Sequence, residues 1–300
     1  MTPGVLIALL VVQLLFGLNY VISKVVVGSF PPLLWASFRV IVSAVVMICV
    51  ALASGRKHPK VSGEFFGKLV LFSLLGIILN QGSFLLGLKY TTSTNSAVLN
   101  TLIPIFTLVI VTVRGQEPLT SKRALGFVCA FVGVLAIRKV ENFSFSDSTL
   151  IGDLLTMFNC LCYAFFLSYS KKFLEKHDSV WTTAWLFIYG SVGLTLIALP
   201  DWIHFKLPPI DEQLLACMTF AILGGTLLTY FLSLWALARI RATSTVALFV
   251  YLQPVVATAF AWAWKGELIT SRTALSSFLI FCGMLLALTP GKSSPPMRQE

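Results

Sequence analysis

Long runs of apolar residues, separated by short polar segments, occupy almost the whole chain. Each run is close to the roughly 20 residues that a helix needs to cross a bilayer. The runs stay apolar along their length instead of alternating at every second residue, which favours helices over a membrane barrel. The pattern predicts ten spans, at residues 5–23, 33–53, 67–87, 94–113, 122–137, 150–169, 180–200, 213–236, 243–264 and 271–289.

The composition agrees with a chain built for lipid. Hydrophobic residues make up 57% of the sequence, charged residues only 11%, and the mean hydropathy is +0.89, whereas about a quarter of residues are charged in soluble domains. No Lys or Arg precedes the first span, so a retained helix is expected there instead of a cleaved signal. The six cysteines lie inside spans without metal-like spacing and are expected to pack as small apolar residues. The sequence therefore predicts an all-α membrane protein.

The basic residues are distributed unevenly between the two sides of the predicted membrane. With the N-terminus inside, fourteen Lys and Arg residues fall on the cytoplasmic side and seven on the other. This bias predicts that both termini are cytoplasmic, in an inner or plasma membrane. The net charge of +10 is then mostly a matter of topology. Because the basic residues are scattered over short loops and form no basic stripe, no nucleic-acid partner is expected.

One polar segment occurs twice in the sequence. "VRGQEPLTSKRAL" begins at Val113 and "AWKGELITSRTAL" at Ala263, and at this offset of 150 several residues recur. They are Ala97 and Ala247, Pro104 and Pro254, Glu117 and Glu267, Thr120 and Thr270, Ser121 and Ser271, and Gly133 and Gly283. Such a fixed offset indicates a tandem duplication.

The duplication predicts an inverted architecture. Each half holds five spans, an odd number, so the second half must enter the membrane upside down. We therefore expect ten transmembrane helices in two inverted five-helix repeats, residues 1–140 and 141–290, followed by a cytoplasmic tail, 291–300. This arrangement is typical of secondary transporters, whose substrate site lies near the midplane where the halves meet.

The repeated segments also resemble a known family. "NSAVLNTLIPIFTLVIVTVRGQEPLTSKRALGFVCAFVGVLAI" and "TSTVALFVYLQPVVATAFAWAWKGELITSRTALSSFLIFCGMLLAL" are similar to the second part of the EamA repeat of the drug/metabolite transporter superfamily. "FGLNYVISKVVV" and "PPLLWASFRV" resemble the opening of that repeat. The second half departs from the pattern, because nothing near Leu186 matches Arg39. The resemblance, which covers nearly the whole chain, implies transport of small solutes without identifying one.

Two prolines are predicted to interrupt helices. Pro104 and Pro254 lie near the centres of spans four and nine, where each removes a backbone donor and crowds the carbonyl of Asn100 or Val250. Transmembrane helices tolerate proline when neighbours satisfy the freed groups. Because both halves carry proline at the same place, we interpret the kinks as part of the transport pathway.

Polar side chains at mid-depth are the candidates for substrate contact. In hydrocarbon, each must face another helix or a watery cavity. For any one of them an interhelical hydrogen bond is an equally good explanation, but the set indicates a polar central cavity, with Trp185 available to stack on a flat substrate. The predicted cavity residues are Asn19, Arg39, Asn80, Gln81, Asn100, Asn159, Tyr163, Trp185, Tyr189, Tyr230, Tyr251 and Gln253, and Gln13 lies at a similar depth.

Few charged groups lie in or beside the spans. Arg39 is the fixed charge inside a span, and it could either attract an anionic group or bind carbonyls and lock helices. Glu117 and Glu267 lie at helix joints, where they are expected to stabilise the N-termini of the following helices. No Asp, Glu or His lies at the middle of a span. We therefore expect a facilitator or exchanger, with Asp153 as the one plausible proton site. Spans five and ten carry small residues and are expected to be scaffold.

Motifs of other functional classes are missing from the sequence. It contains no phosphate-binding loop and no histidine cluster, so no ATP-driven step, cofactor, metal or catalytic residue is expected. The predicted function is a secondary transporter that exports small polar or amphipathic metabolites, amino acids among them, by alternating access. Multidrug efflux and nucleotide-sugar-type exchange are the alternatives within transport, and a membrane-embedded enzyme is the alternative outside it. The expected partners are the small-molecule substrate and the lipid bilayer, and homodimer formation is left open.

Overall fold

A computed structural model describes residues 1–59, 62–91, 93–137, 149–265 and 271–288, and within these ranges the regular structure is helical, with no strand. Glu267 and the tail, residues 291–300, lie outside the described residues. We number the helical regions α1 (Pro3–Ser29), α2 (Pro32–Ala53), α3 (Gly63–Tyr90), α4 (Ser93–Leu99 and Leu102–Val113), α5 (Ser121–Ile137), α6 (Leu150–Leu174), α7 (Ser179–His204), α8 (Glu212–Leu237), α9 (Thr243–Leu248 and Leu252–Lys265) and α10 (Ser271–Leu288).

The all-α membrane fold follows from the length and composition of these helices. Within the described residues, seven helices are long and apolar enough to cross a membrane: α1 to α4 and α6 to α8. α5, α9 and α10 fall outside this group, so the count of ten spans stays a prediction.

Local sequence signals set many of the helix ends. The side chain of Asp178 accepts hydrogen bonds from the backbone at the start of α7, and Asp211 does the same for α8, because the first turn of a helix has unsatisfied N–H groups. At the other ends, Gly55 follows α2 with φ 61° and Gly115 follows α4 with φ 64°. Both adopt the left-handed conformation that glycine reaches without strain, and both therefore end a helix.

The helices pack in symmetric pairs. α1 packs against α8 and α9, and α6 packs against α3 and α4. The second set of contacts is the first set with each helix replaced by its counterpart in the other half, five helices away along the chain. α2 pairs with α7, and α5 pairs with α10. As a result, α1, α3, α4, α6, α8 and α9 gather at the centre, while α5 and α10 form a separate pair at the side.

Glycine allows α5 and α10 to approach closely. A Cβ atom on Gly126 would lie 2.6 Å from both the backbone nitrogen of Ala287 and the carbonyl oxygen of Gly283. A Cβ on Gly283 would lie 2.5 Å from the backbone nitrogen of Ala130. Backbone atoms cannot move aside as a flexible side chain can, so this pair of helices requires glycine at its contact, as in other close transmembrane pairs.

Candidate functional site

Four of the six central helices are irregular near the middle of the protein. α3 contains a π-helical segment at Leu74–Leu79, and α8 contains one at Leu223–Leu228. α4 is broken at residues 100 and 101, and α9 passes through a 3₁₀ turn at Phe249–Tyr251. Asn100 and Val250, whose carbonyls lie four residues before Pro104 and Pro254, are in these two breaks. The irregular segments form two matched pairs, α3 with α8 and α4 with α9, and such segments often occur at functional sites.

A small cavity lies between these segments. It encloses about 60 Å³, enough for a few water molecules on a scale where one water needs roughly 10–15 Å³. Its described lining carries no charged side chain and is made of amides, phenols, one serine hydroxyl and apolar groups. The lining residues are Gln13, Phe16, Asn19, Tyr20, Asn80, Gln81, Phe84, Asn100, Ile103, Asn159, Tyr163, Leu167, Tyr230, Ser233, Val246, Ala247, Val250 and Gln253. The first three and the last three of the six central helices contribute equally: α1, α3 and α4 from one half, α6, α8 and α9 from the other.

Tyr230 is at the centre of a hydrogen-bond network that joins α8 to α3. Its hydroxyl lies 2.8 Å from Asn80 Oδ1 and 2.8 Å from the carbonyl oxygen of Gly76, so it can donate to either. The same hydroxyl accepts a hydrogen bond of 2.5 Å from Gln81 Nε2. Gly76 is within the π-helical segment of α3, so the phenol satisfies a carbonyl in the irregular part of that helix.

The network continues through two further asparagines. Asn80 Nδ2 donates to Asn159 Oδ1 on α6, and Asn159 Nδ2 donates to Asn100 Oδ1 at a distance of 2.9 Å. Asn100 Nδ2 in turn donates to the Ser96 carbonyl at 2.8 Å. Four helices are therefore linked by one chain of amides, and the break in α4 is tied to it.

A second network lines the α1 and α9 side of the cavity. The Tyr20 hydroxyl donates to Gln253 Oε1 at 2.8 Å, and Gln253 Nε2 donates to Gln13 Oε1 at 2.7 Å. On α1, Ser23 donates to Asn19 Oδ1 at 3.0 Å. These amides are buried but have partners, so they do not carry the penalty of unsatisfied polar groups in an apolar environment.

The structure brings most of the predicted cavity residues together. Eight of them line the cavity: Asn19, Asn80, Gln81, Asn100, Asn159, Tyr163, Tyr230 and Gln253. The structure places the other four elsewhere: Arg39, Trp185, Tyr189 and Tyr251. None of these four lines the cavity in this structure, and their surroundings are described below.

Trp185 and Tyr189 lie on the side of α7 that faces the start of α3. Trp185 Nε1 donates to His58 Nε2 at 3.2 Å, and its ring packs against Phe66 and Tyr189. This aromatic cluster is at the end of the bundle that holds the α2–α3 loop, away from the central cavity. Tyr251 is fully buried, and its ring makes an edge contact with Phe127 of α5, 6.3 Å between centroids. The 3₁₀ turn therefore directs Tyr251 towards the α5–α10 pair.

Arg39 is buried in α2, behind the cavity wall. Its side chain is 1% exposed, and neither Nε nor Nη1 has a hydrogen-bond partner. Placing Arg at the centre of a membrane helix costs roughly 2.5–3.5 kcal/mol on insertion scales. Of the two roles that the sequence left open, the locking of helices through carbonyls receives no support from these two atoms.

Several lining residues fall outside the set predicted from the sequence: Phe16, Tyr20, Phe84 and Ser233. Helical spacing could have identified three of them. Tyr20 is seven residues after Gln13, Phe84 is three after Gln81, and Ser233 is three after Tyr230. Residues at these spacings share a helix face, so these three are each on the same face as a polar residue at mid-depth.

Glu117 joins the two halves at one end of the bundle. It is 7% exposed, accepts a hydrogen bond from the Ser244 backbone N–H at 3.2 Å and another from Ser244 Oγ at 2.6 Å, and pairs with Arg123. The sequence predicts that it stabilises the N-terminus of the following helix, α5, but its described hydrogen bonds to a helix N-terminus run to α9. The left-handed turn at Gly115 lies two residues before Glu117.

At the opposite end, α3 and α6 meet closely. The Thr91 hydroxyl donates to Asp153 Oδ1 at 2.5 Å, and Asp153 is fully buried. A Cβ on Gly152 would lie 2.6 Å from the backbone nitrogen of Thr91. In this structure, cross-half contacts therefore join the bundle at both ends, and the cavity lies between them.

Comparisons with known proteins agree with this architecture. The chain is 27% identical over 285 residues to the "Uncharacterized transporter YoaV" of Bacillus subtilis (strain 168), covering 94% of this chain and 96% of that protein. It is 27% identical to an archaeal "Uncharacterized transporter" of Archaeoglobus fulgidus, over 91% of this chain and 93% of the relative. A WAT1-related protein of Arabidopsis thaliana is 24% identical over 94% of this chain and 86% of its own length.

Structure and family comparisons complete the assignment. A solved crystal structure shares the fold with a TM-score of 0.75 at 14% identity, covering 96% of this chain and 98% of the other. The model of the EamA-like transporter family matches twice, at residues 2–139 and 150–289. With these matches and its several apolar helices, the protein is an integral, multi-pass membrane transporter. The chain belongs to the EamA-like transporter family.

Proposed function

We propose that this protein is a secondary transporter that exports small polar or amphipathic metabolites, amino acids among them, by alternating access. One observation carries the proposal: α1, α3 and α4 from one half and α6, α8 and α9 from the other surround a cavity whose described lining is uncharged and rich in amides. The two matches of the family model and the exchanged packing of the helices support two inverted five-helix repeats. Sites at the interface of such repeats are where secondary transporters bind their substrates.

The irregular segments give the cavity wall a way to move. π-helical and broken segments have fewer regular backbone hydrogen bonds than a continuous helix, and they let the two ends of a helix tilt separately. Here such segments lie in α3, α4, α8 and α9, next to cavity residues of all four helices. We propose that α3 and α8, and α4 and α9, bend in turn to open the cavity to one side and then to the other.

The lining favours small polar solutes over lipophilic drugs. A bulky apolar molecule would displace the hydrogen-bonding partners of amides such as Asn80 and Asn159 and leave them unsatisfied. A small solute with its own donors and acceptors can instead exchange hydrogen bonds with the amides at little net cost.

The proposed orientation places both termini in the cytoplasm of an inner or plasma membrane. The end of the bundle that holds the α2–α3, α4–α5 and α6–α7 connections carries Arg56, paired with Asp178, and Lys171, which donates to the Ile240 carbonyl. Together with the excess of fourteen over seven basic residues in the predicted cytoplasmic segments, these groups support assigning this end to the cytoplasm.

The proposal is tested by solute flux in liposomes. Purified protein is reconstituted into liposomes, which are loaded in turn with labelled amino acids, small organic acids and sugars. The efflux of each solute is compared with its efflux from protein-free liposomes. We expect at least one small polar solute to leave faster, and Gln81→Ala to slow that flux. Gln213→Ala is the matched control, because Gln213 is an exposed amide at the start of α8. Protein-dependent flux of none of these solutes would contradict the proposal.

A further inference from the structure

The charge of Arg39 has no counter-ion among the described residues. The four ion pairs in the described part of the chain involve other residues: Arg56 with Asp178, Lys68 with Glu64, Arg123 with Glu117, and Lys171 with Glu175. Arg39 is fully enclosed, and its Nε and Nη1 atoms have no hydrogen-bond partner. A guanidinium stays protonated even in apolar surroundings. α2 therefore holds an uncompensated positive charge inside the protein.

This charge is next to the cavity wall. α2 packs against the π-helical segment of α8, which ends two residues before Tyr230, and against the second half of α3, which begins at Asn80. The guanidinium of Arg39 is close enough to Tyr230, which lines the cavity, for its charge to act on the phenol. Because the described lining has no charged side chain, no carboxylate or ammonium group on the wall opposes the field of Arg39.

We propose that Arg39 makes the cavity selective for solutes that carry an anionic group, a carboxylate above all, and that it acts through its field from behind Tyr230 instead of by direct contact. In a low-dielectric interior, a charge acts over longer distances than in water. An anion in the cavity lowers the electrostatic energy of the buried guanidinium, and a cation raises it. This inference rests on the proposed function and specifies the class of its substrate.

A purely structural role for Arg39 is less consistent with the geometry. An arginine that locks helices does so by donating to carbonyl or carboxylate oxygens, with its planar fork of N–H groups. Two of the donor atoms of Arg39 make no such bond. A lysine at this position would lack the fork, and desolvation would favour loss of its proton, so that it carries the charge only at low pH. Glutamine would keep polarity without the charge. The pH response of the lysine variant, compared with glutamine, therefore separates a field effect from a packing effect.

The experiment compares three solutes with one carbon skeleton in liposomes that contain the protein. Lactate is the anion, lactamide the neutral analogue and 1-amino-2-propanol the cation. We expect lactate to move on the order of tenfold faster than lactamide, and the cation to be slowest. A tenfold ratio corresponds to about 1.4 kcal/mol of difference in interaction energy. Arg39→Gln should bring the three rates within about twofold of each other, and Arg39→Lys should restore the order as the pH is lowered and its ammonium becomes protonated. Arg56→Gln, at an exposed arginine, is the matched control and should behave as the unaltered protein.

The outcomes separate this inference from the proposed function. If lactate moves no faster than lactamide in the unaltered protein, or if Arg39→Gln keeps the full preference, the inference is wrong, while flux of other small polar solutes would leave the function standing. If no solute moves at all, the proposed function itself fails. Where Arg39→Gln does not fold, the rate of lactate relative to lactamide in the unaltered protein still tests the predicted selectivity for anions.

Discussion

Tyr230 and Asn80 are hydrogen-bonded to each other, with 2.8 Å between the phenol oxygen and Asn80 Oδ1. They are 150 residues apart, the offset that relates the two copies of the repeated segment, so they occupy the same position in the two halves. In the proposed inverted repeats, which a two-fold axis relates, equivalent residues touch only beside that axis. The pair therefore marks the midline of the bundle and forms part of the wall of its cavity.

Removing the phenol oxygen should affect transport more than folding. In Tyr230→Phe, Asn80 Oδ1 and Gln81 Nε2 lose a partner, and a buried polar group left unsatisfied costs about 1–3 kcal/mol. We expect a lower melting temperature, a modest loss of folded yield and a larger loss of flux, measured in liposomes against yield by size-exclusion chromatography. Tyr90→Phe, at a phenol that is 46% exposed, is the control. Equal fractional losses of flux and yield would show that the bond only supports packing.

The contact between Glu117 and Ser244 should couple the stability of the two halves. In Glu117→Gln the charge that pairs with the largely buried Arg123 is lost, and Ser244→Ala removes the hydroxyl that donates to Glu117. We expect a double-mutant cycle on thermal unfolding to give a coupling energy of about 0.5–3 kcal/mol.

The control for this cycle is Glu64 with Lys68, an exposed pair within one helix. Exposed pairs contribute little to stability, so Glu64→Gln should leave the melting temperature unchanged. Additive effects of Glu117→Gln and Ser244→Ala would show that the two residues do not act together, and the proposed link between α9 and the α4–α5 joint would then be lost.

The α5–α10 pair should tolerate no side chain at its closest point. Gly126→Val places three carbons where backbone atoms of Ala287 and Gly283 already lie within 2.6 Å of a Cβ position. Overpacking of this kind costs about 1–3 kcal/mol or more. We expect reduced folded yield and a lower melting temperature. Gly67→Ala is the control, because nothing lies within 4 Å of a Cβ there. A Gly126→Val protein as stable as the unaltered one would contradict the packing.

The sequence predicts the broad architecture because its signals are long and redundant. Runs of about twenty apolar residues indicate spanning helices, and the fixed offset by itself pairs Asn80 with Tyr230. The rotation of each helix about its own axis is harder to predict. Apolar residues face both lipid and neighbouring helices, so hydropathy does not separate the inward face from the outward one. For this reason the sequence groups Tyr189 and Tyr251 with the cavity residues, whereas neither lines the cavity in this structure.

The π-helical segments are also beyond prediction from local sequence. "LLGIIL" and "LGGTLL" contain no proline and only one polar side chain between them, so nothing local indicates an extra residue per turn. The cause is in the packing. A Cβ on Gly76 would lie 2.6 Å from the Phe166 ring, and Gly225 meets the side chain of Asn19 just as closely. Each π-helical segment is thus in contact with a side chain of the first helix of the other half. Such a contact cannot be predicted from the local sequence.

Labelling of introduced cysteines should determine the orientation. Lys57 and Lys206 are exposed in loops at opposite ends of the bundle. In a background with Cys49→Ser and Cys282→Ser, which removes the exposed thiols among the described cysteines, an impermeant maleimide should label Lys206→Cys in intact cells. Lys57→Cys should react only after permeabilisation, because the proposed orientation places the side richer in Lys and Arg in the cytoplasm. Labelling in the reverse order would overturn the topology.

The source of energy for transport depends on whether any group in the pathway can carry a proton. Coupling to a proton gradient ordinarily needs a titratable side chain that changes charge as the gate alternates. The described lining of the cavity has no carboxyl or imidazole group. The candidate carboxyl, Asp153, is buried in the first turn of α6, where it accepts a hydrogen bond from Thr91. We therefore expect facilitated diffusion or exchange, driven by the solute gradient itself.

Liposomes with equal solute on both sides and a pH gradient across the membrane test this expectation. Because a facilitator moves solute only down its own gradient, no net accumulation should develop, and Asp153→Asn should leave the response to pH unchanged. Thr91→Val, which removes the hydroxyl that donates to Asp153 but leaves the carboxyl in place, is the matched control for loss of the contact alone. Accumulation that collapses with a protonophore, persists in Thr91→Val and disappears in Asp153→Asn would instead identify Asp153 as a proton carrier between α3 and α6.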